Sequence, residues 1–144
     1  MLTMASACHA PIIAELARKL WPEHTLEELQ EEYTLLLKRN DAAVFFSQRN
    51  GNVHGFAQCQ LRRDYVEGTE STPVGYLEGI YVEEAYRGSG IAKYLLAACE
   101  AWARNKGCRE FASDCELDNR ESLEFHLRTG FREANKIVCF VKEL

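Results

Sequence analysis

The stretch Leu77-Glu78-Gly79-Ile80-Tyr81-Val82-Glu83-Glu84-Ala85-Tyr86-Arg87-Gly88-Ser89-Gly90-Ile91-Ala92 leaves the chain few ways to fold. A β-branched and aromatic run enters a glycine-rich turn, and the turn opens a helix that continues to about Asn105. A strand that turns directly into a helix exposes the helix's first amides. Those amides have no intrahelical partner and lie at the positive end of the helix dipole. Gly88 and Gly90 have no Cβ, so a phosphate can approach the backbone closely. The stretch reads either as a pyrophosphate cradle or as a tight strand-to-helix turn that binds nothing.

The surrounding chain limits what that turn can serve. Its 144 residues fit one domain, residues 1–144, with enough apolar side chains (47%) to build a core. No apolar run approaches the ~18 residues of a membrane span, and no basic segment precedes an apolar one as in a secretory signal. A net charge of −5 argues against nucleic acid and favours a cationic ligand wherever the acids gather in a cleft. Cys8, Cys59, Cys99, Cys108, Cys115 and Cys139 form no C-x-x-C pair and no Cys/His cluster. We therefore expect no metal site, free thiols in a reducing cytoplasm, and each cysteine as a small core residue.

In order, the sequence predicts β-α-α-β-β-β-α-β-α-β-β. Met1 to Ala7 reads as a short strand. Ile12, Ile13, Leu16, Ala17 and Leu20 recur at helical spacing, with Pro11 in the first turn and Pro22 as the stop. Thr25 followed by Glu28 is a capping-box signature for a second helix, which turns Leu26, Leu29, Tyr33, Leu36 and Leu37 inward. Strands over Ala42 to Gln48 and Val53 to Leu61 flank an Asn50-Gly51 hairpin turn. Arg62 to Val74 reads as a loop, Gly75 to Val82 as a strand and Ser89 to Asn105 as a helix, with Gly107 past its end. Glu110 to Cys115 predicts a strand and Asn119 to Thr129 a helix. Phe131 to Ala134 and Ile137 to Val141 predict a closing β-hairpin around Asn135-Lys136.

The turn lacks the G-K-S/T ending of a Walker A loop. As a dinucleotide fingerprint it has Lys93 at the third glycine position and lies past mid-chain. Arg87-Gly88-Ser89-Gly90-Ile91-Ala92 instead resembles the R/Q-x-x-G-x-G/A acyl-CoA loop of the GNAT N-acetyltransferases. Asn119 and Phe125-His126-Leu127-Arg128-Thr129-Gly130-Phe131, similar to that family's F-Y-x-x-x-G-F, follow in the family's order. The resemblance implies an α+β acyltransferase fold: a mixed, mostly antiparallel sheet flanked by helices, with two strands splayed into an acetyl-CoA cleft. Leu20-Trp21-Pro22, Asp64-Tyr65-Val66-Glu67-Gly68, Thr72-Pro73-Val74, Glu110-Phe111-Ala112-Ser113-Asp114 and Leu117-Asp118-Asn119 further resemble the aminoglycoside 6′-N-acetyltransferases. These segments lie outside the CoA loop, so they speak to the acceptor.

The resemblance implies a division of labour. Backbone groups of Ile80, Tyr81 and Val82 would pair with pantetheine as an added strand, one amide polarising the thioester carbonyl. Gly79 suits either a bulge that frees such a donor or simple close packing. Amides of Gly88, Ser89, Gly90, Ile91 and Ala92 would take the pyrophosphate, with Arg87 adding charge. Asn119 would meet pantetheine, cap its helix, or do both. His126 stands where many relatives carry the tyrosine that protonates the leaving thiolate; it can do the same as an imidazolium or serve only as a hydrogen-bonding group.

The acceptor implied is a cationic aminoglycoside, and Glu78 and Asp114 are the carboxylates to receive it. Asp114 is favoured as the base and Glu78 as an orienting charge, although the sequence does not separate the roles. Trp21 and Tyr65 would wall the sugar rings. Asn135 departs from relatives that place a glutamate there, near a hairpin that the resemblance would bring to a neighbouring subunit in a homodimer. The alternatives are acetylation of another polyamine or of a protein amine, and an acyl-CoA sensor without turnover. A sensor should lose Glu78 and Asp114, and both are present.

Overall fold

The computed structural model describes residues 1–144. β1 (Leu2–Met4), β2 (Ala42–Arg49), β3 (Asn52–Arg62), β4 (Val74–Val82) and β5 (Phe111–Ala112) form one sheet in that order. The first four strands pair antiparallel, and β5 joins β4 in parallel. The sequence order of strands and helices is thus met as far as the last helix.

Alternation along the strands sends side chains to two cores. Val44, Phe46 and Phe56 are buried with residues of α1 (Ala10–Leu20) and α2 (Leu26–Leu36), while Ala43, Ala57, Cys59 and Leu77 are buried with α3 (Ile91–Asn105). α1 buries Ile13, Ala14, Leu16 and Ala17, and α2 buries Leu29, Tyr33 and Leu36, each a single stripe at helical spacing. The expected capping box starts α2: the Glu28 amide donates to Thr25 Oγ1 at 3.2 Å, and the Thr25 amide donates to Glu28 Oε2 at 3.2 Å. α4 (Arg120–Arg128) carries Phe125 onto the α3 core.

Of the cysteines, Cys59, Cys99 and Cys108 are the small core residues expected, but Cys8, Cys115 and Cys139 are exposed.

Two departures shape the site. Gln58 pairs with Gly79 and Cys59 with Leu77, so Glu78 is an extra residue in β4. The insertion shifts the alternation. Leu77, Ile80 and Val82 pack with α3, whereas Tyr81 packs with the α1 core, and Trp21 lies against Gly79. Gly79 adjoins the bulge and is also closely packed, since a Cβ there would stand 2.6 Å from Trp21 Cη2.

The closing hairpin is the second departure. Residues 131–144 form neither strand nor helix, and β5 is shorter than the predicted Glu110 to Cys115. Asn135 Nδ2 donates to Glu67 Oε1 at 3.0 Å, and Ala134 lies against Gly68, which holds the chain to the loop before β4. Beyond it Ile137, Val138, Phe140 and Val141 are exposed, with no strand of their own chain beside them. Alternating apolar residues signal a strand but do not name its partner.

Candidate active site

β4 and β5 pair only at Gly75 with Phe111 and Tyr76 with Ala112. From there the strands part, and the β4 edge toward β5 is open from Glu78 to Val82. Ile80, Tyr81 and Val82 lie on this edge while their other side is paired to β3. An unpaired strand edge accepts an extended amide chain by backbone hydrogen bonding.

β4 leads through a short turn, Glu84–Tyr86, to the glycine loop. Gly88 has φ +81° and Gly90 φ +86°, the left-handed conformation glycine adopts without strain. The amides of Gly88, Ser89, Gly90, Ile91 and Ala92 find no acceptor within the chain. The Ser89 hydroxyl donates to the Tyr86 carbonyl at 2.5 Å. Arg87 Nε donates to the Val82 carbonyl at 2.8 Å, so this guanidinium ties the loop to the end of β4 as well as adding charge. The loop is therefore a set of convergent free amides at the start of a helix, as a phosphate requires.

Parallel register places Glu78 and Asp114 level with one another, each two residues past the last pair. Their surroundings differ. Glu78 is half-buried and both its oxygens are taken by Arg62: Nε to Oε1 at 3.1 Å, Nη2 to Oε1 at 2.9 Å and Nη2 to Oε2 at 3.0 Å. The same guanidinium lies 3.4 Å above the Tyr76 ring. The Tyr76 phenol donates to Asp114 Oδ2, leaving Asp114 Oδ1 without a partner in an exposed position. Burial, and then the hydrogen bond to Asp114, push the Tyr76 phenol well above the usual tyrosine range, so it remains a donor. Sequence reasoning missed Arg62 and Tyr76. Tyr76 precedes Glu78 by one strand period, a signal that was there to read.

The other candidates fall into place around this fork. Trp21 is half-buried, packed over Gly79 and edge-on to Phe56 with ring centroids 6.4 Å apart. Tyr65 is 79% exposed on the loop before β4, free to meet a ligand, while Val66 anchors that loop against Val74 and Tyr76. Asn119 caps α4, its Oδ1 accepting from the Ser122 amide at 3.1 Å. Asn135 is bonded to Glu67 and is not joined to Glu78 or Asp114.

Both nitrogens of His126 are engaged. Nδ1 stands 2.6 Å from the Ser122 carbonyl, so it carries a proton there, and Nε2 lies 2.8 Å from Ser113 Oγ. In the neutral ring Nε2 accepts from Ser113; only the imidazolium donates from it. Ser113 Oγ also lies 3.5 Å from the Leu77 carbonyl, bridging the strands where they part. No His, Cys, Asp and Glu group in the chain is arranged to hold a metal, and no helix is long and apolar enough to cross a membrane.

An anion cradle, an open strand edge and a pair of carboxylates thus follow one another along β4 and the loop after it. The chain resembles aminoglycoside N(6′)-acetyltransferase type 1 of Stenotrophomonas maltophilia, at 41% identity over 96% of this chain and 90% of the relative. The Salmonella typhimurium protein of that name is 39% identical over 88% of each. Among solved structures, AAC(6′)-Iy in complex with the bisubstrate analogue CoA-S-monomethyl-acetylneamine superposes with a TM-score of 0.95 at 35% identity, over 100% of this chain and 98% of that one. Apo AAC(6′)-IG from Acinetobacter haemolyticus gives a TM-score of 0.93 at 37% identity, over 100% and 99%. The model of the acetyltransferase (GNAT) family matches residues 11–131, from the first helix to just past α4, and the chain belongs to that family.

Proposed function

We propose that this chain is an acetyl-CoA-dependent N-acetyltransferase that modifies the 6′-amino group of aminoglycosides and so confers resistance to them. The observation that carries the reading is the meeting of two half-sites: a strand edge and amide cradle suited to acyl-CoA, and carboxylates level across the fork suited to an ammonium. Amides of Gly88 to Ala92 take the pyrophosphate, and the edge of Ile80 to Val82 takes the pantetheine arm, with Asn119 at its side. An edge amide polarises the thioester carbonyl and holds the oxyanion.

Asp114 Oδ1 receives a proton from the 6′-ammonium, freeing the lone pair that attacks the carbonyl. The attacking nitrogen loses its second proton to solvent, and collapse of the tetrahedral intermediate re-forms the carbonyl and breaks the carbon–sulfur bond. The Ser113 hydroxyl gives its proton to the departing thiolate, and protonated His126 replaces it from Nε2. Glu78 orients charge at the acceptor, with Trp21 and Tyr65 as walls. Asn135 acts through Glu67 on the loop that carries Tyr65. Nuclear magnetic resonance of the product from a drug bearing several amines tests the position. The expected product carries one acetamide, at the 6′ nitrogen; acetylation elsewhere contradicts the reading.

The enzyme works as a homodimer in the cytoplasm, where acetyl-CoA and reduced thiols coexist. Support for the dimer comes from the C-terminal arm. Phe140 and Val141 are 92% and 96% exposed, and β5 presents an outer edge with no strand beside it. An exposed apolar strand and an open edge are each unfavourable in water and favourable together, and a second copy of the chain supplies both. Truncation after Lys136 is expected to convert the dimer to a monomer in sedimentation velocity. Full-length protein that sediments as a monomer at micromolar concentration contradicts the dimer.

A further inference from the structure

We infer that Arg62 is a resident cation of the acceptor site, which holds Glu78 neutralised and so sets how strongly the site attracts a polycationic substrate. The inference rests on the acceptor reading above and deepens it. A substrate ammonium is recognised by a carboxylate and by an aromatic face. Both are present, on Glu78 and Tyr76, and both are already occupied by one guanidinium: three hydrogen bonds of 2.9–3.1 Å to Glu78 and a centroid distance of 3.4 Å over Tyr76.

Arg62 reaches them because it ends β3 opposite Val74, which puts its side chain over the strand that carries Tyr76 and Glu78. The extra residue in β4 is Glu78 itself, and Gly79 follows it under Trp21. The pair is only partly shielded: the Arg62 side chain is 39% exposed and that of Glu78 19%. An incoming ammonium therefore approaches a compensated pair on one side of the fork and a carboxylate with one free oxygen, Asp114 Oδ1, on the other. Arg62 acts through Glu78 and is a specificity-determining residue, not a catalytic one.

Charge arithmetic separates this from a purely structural ion pair. Arg62→Gln leaves the site one unit more negative, and the KM for drug is expected to fall about tenfold, the worth of one charge-assisted hydrogen bond. Glu78→Gln leaves Arg62 uncompensated and is expected to raise KM by a similar factor. The double variant restores the site's net charge, so its KM should return toward that of the parent. The affinity of each variant for acetyl-CoA, by calorimetry, reports whether the fold and the cradle survive.

Two patterns overturn the inference. In one, the double variant remains as impaired as Glu78→Gln, which means that Glu78 contacts the drug itself. In the other, Arg62→Gln raises KM while acetyl-CoA affinity holds. A parent protein that binds acetyl-CoA but acetylates no aminoglycoside instead overturns the acceptor reading, and this inference with it.

Discussion

Asp114→Asn is expected to lower kcat/KM for an aminoglycoside by about 10²–10⁴-fold, the usual worth of a positioned general base. Asparagine keeps the shape of the side chain and can still accept from the Tyr76 phenol, so the network around it need not rearrange. What it lacks is a charged oxygen to take the ammonium proton. In the proposed site acetyl-CoA meets the open edge of β4 and the glycine loop, not Asp114, so its affinity should be unchanged. Stopped-flow thiol release with a parallel acetyl-CoA titration makes the comparison. A variant that retains parental turnover removes Asp114 from the chemistry.

Gly90→Val is expected to act on the other half-site. Gly90 has φ +86° at the N-cap of α3, where a β-branched side chain is a genuine outlier. Holding valine in the left-handed region costs about 1–2 kcal/mol, so the loop is expected to rearrange and turn amides away from the phosphate. Each charge-assisted hydrogen bond lost is worth about 1.5–3 kcal/mol. Acetyl-CoA affinity should therefore fall by about tenfold to a hundredfold, and drug KM at saturating acetyl-CoA should move little. Space alone does not forbid the change, because a Cβ at Gly90 would stand 3.6 Å from Tyr94. The backbone decides it.

The contrast between these residues shows what a sequence carries. Gly88 and Gly90 were legible because a strand, a glycine turn and a helix are contiguous, and local order alone dictates a cradle of free amides. Thr25 and Glu28 were legible for the same reason. Asp114 and Glu78 are proposed through likeness to aminoglycoside acetyltransferases, a likeness that says nothing of their environments. Arg62, placed at the start of a loop, in fact ends β3 and pairs with Val74. The partner of Glu78 thus depended on where one strand stopped, the least certain feature of a sequence pattern.

The one-residue insertion at Glu78 leaves only Gly79 as its mark in the sequence, and that glycine reads equally well as close packing. The same limit applies to the C-terminus. Ile137 to Val141 has the composition of a strand, but a strand needs an edge, and no edge within this chain receives it. The two half-sites also differ in kind. The cradle is made of backbone and is indifferent to most side chains, whereas the acceptor side is made of charges whose balance a single arginine alters. Variation in substrate preference at constant cofactor use is the natural consequence of that arrangement.

In the proposed reaction the acyl edge and the carboxylate pair meet to acetylate a 6′-amine. Thiol release from acetyl-CoA with two aminoglycosides matched in scaffold, one carrying a 6′-amine and the other a 6′-hydroxyl, tests it most directly. Turnover with the amine and none with the hydroxyl is the result expected. Equal turnover with both, or none with either by a protein that binds acetyl-CoA, would contradict it.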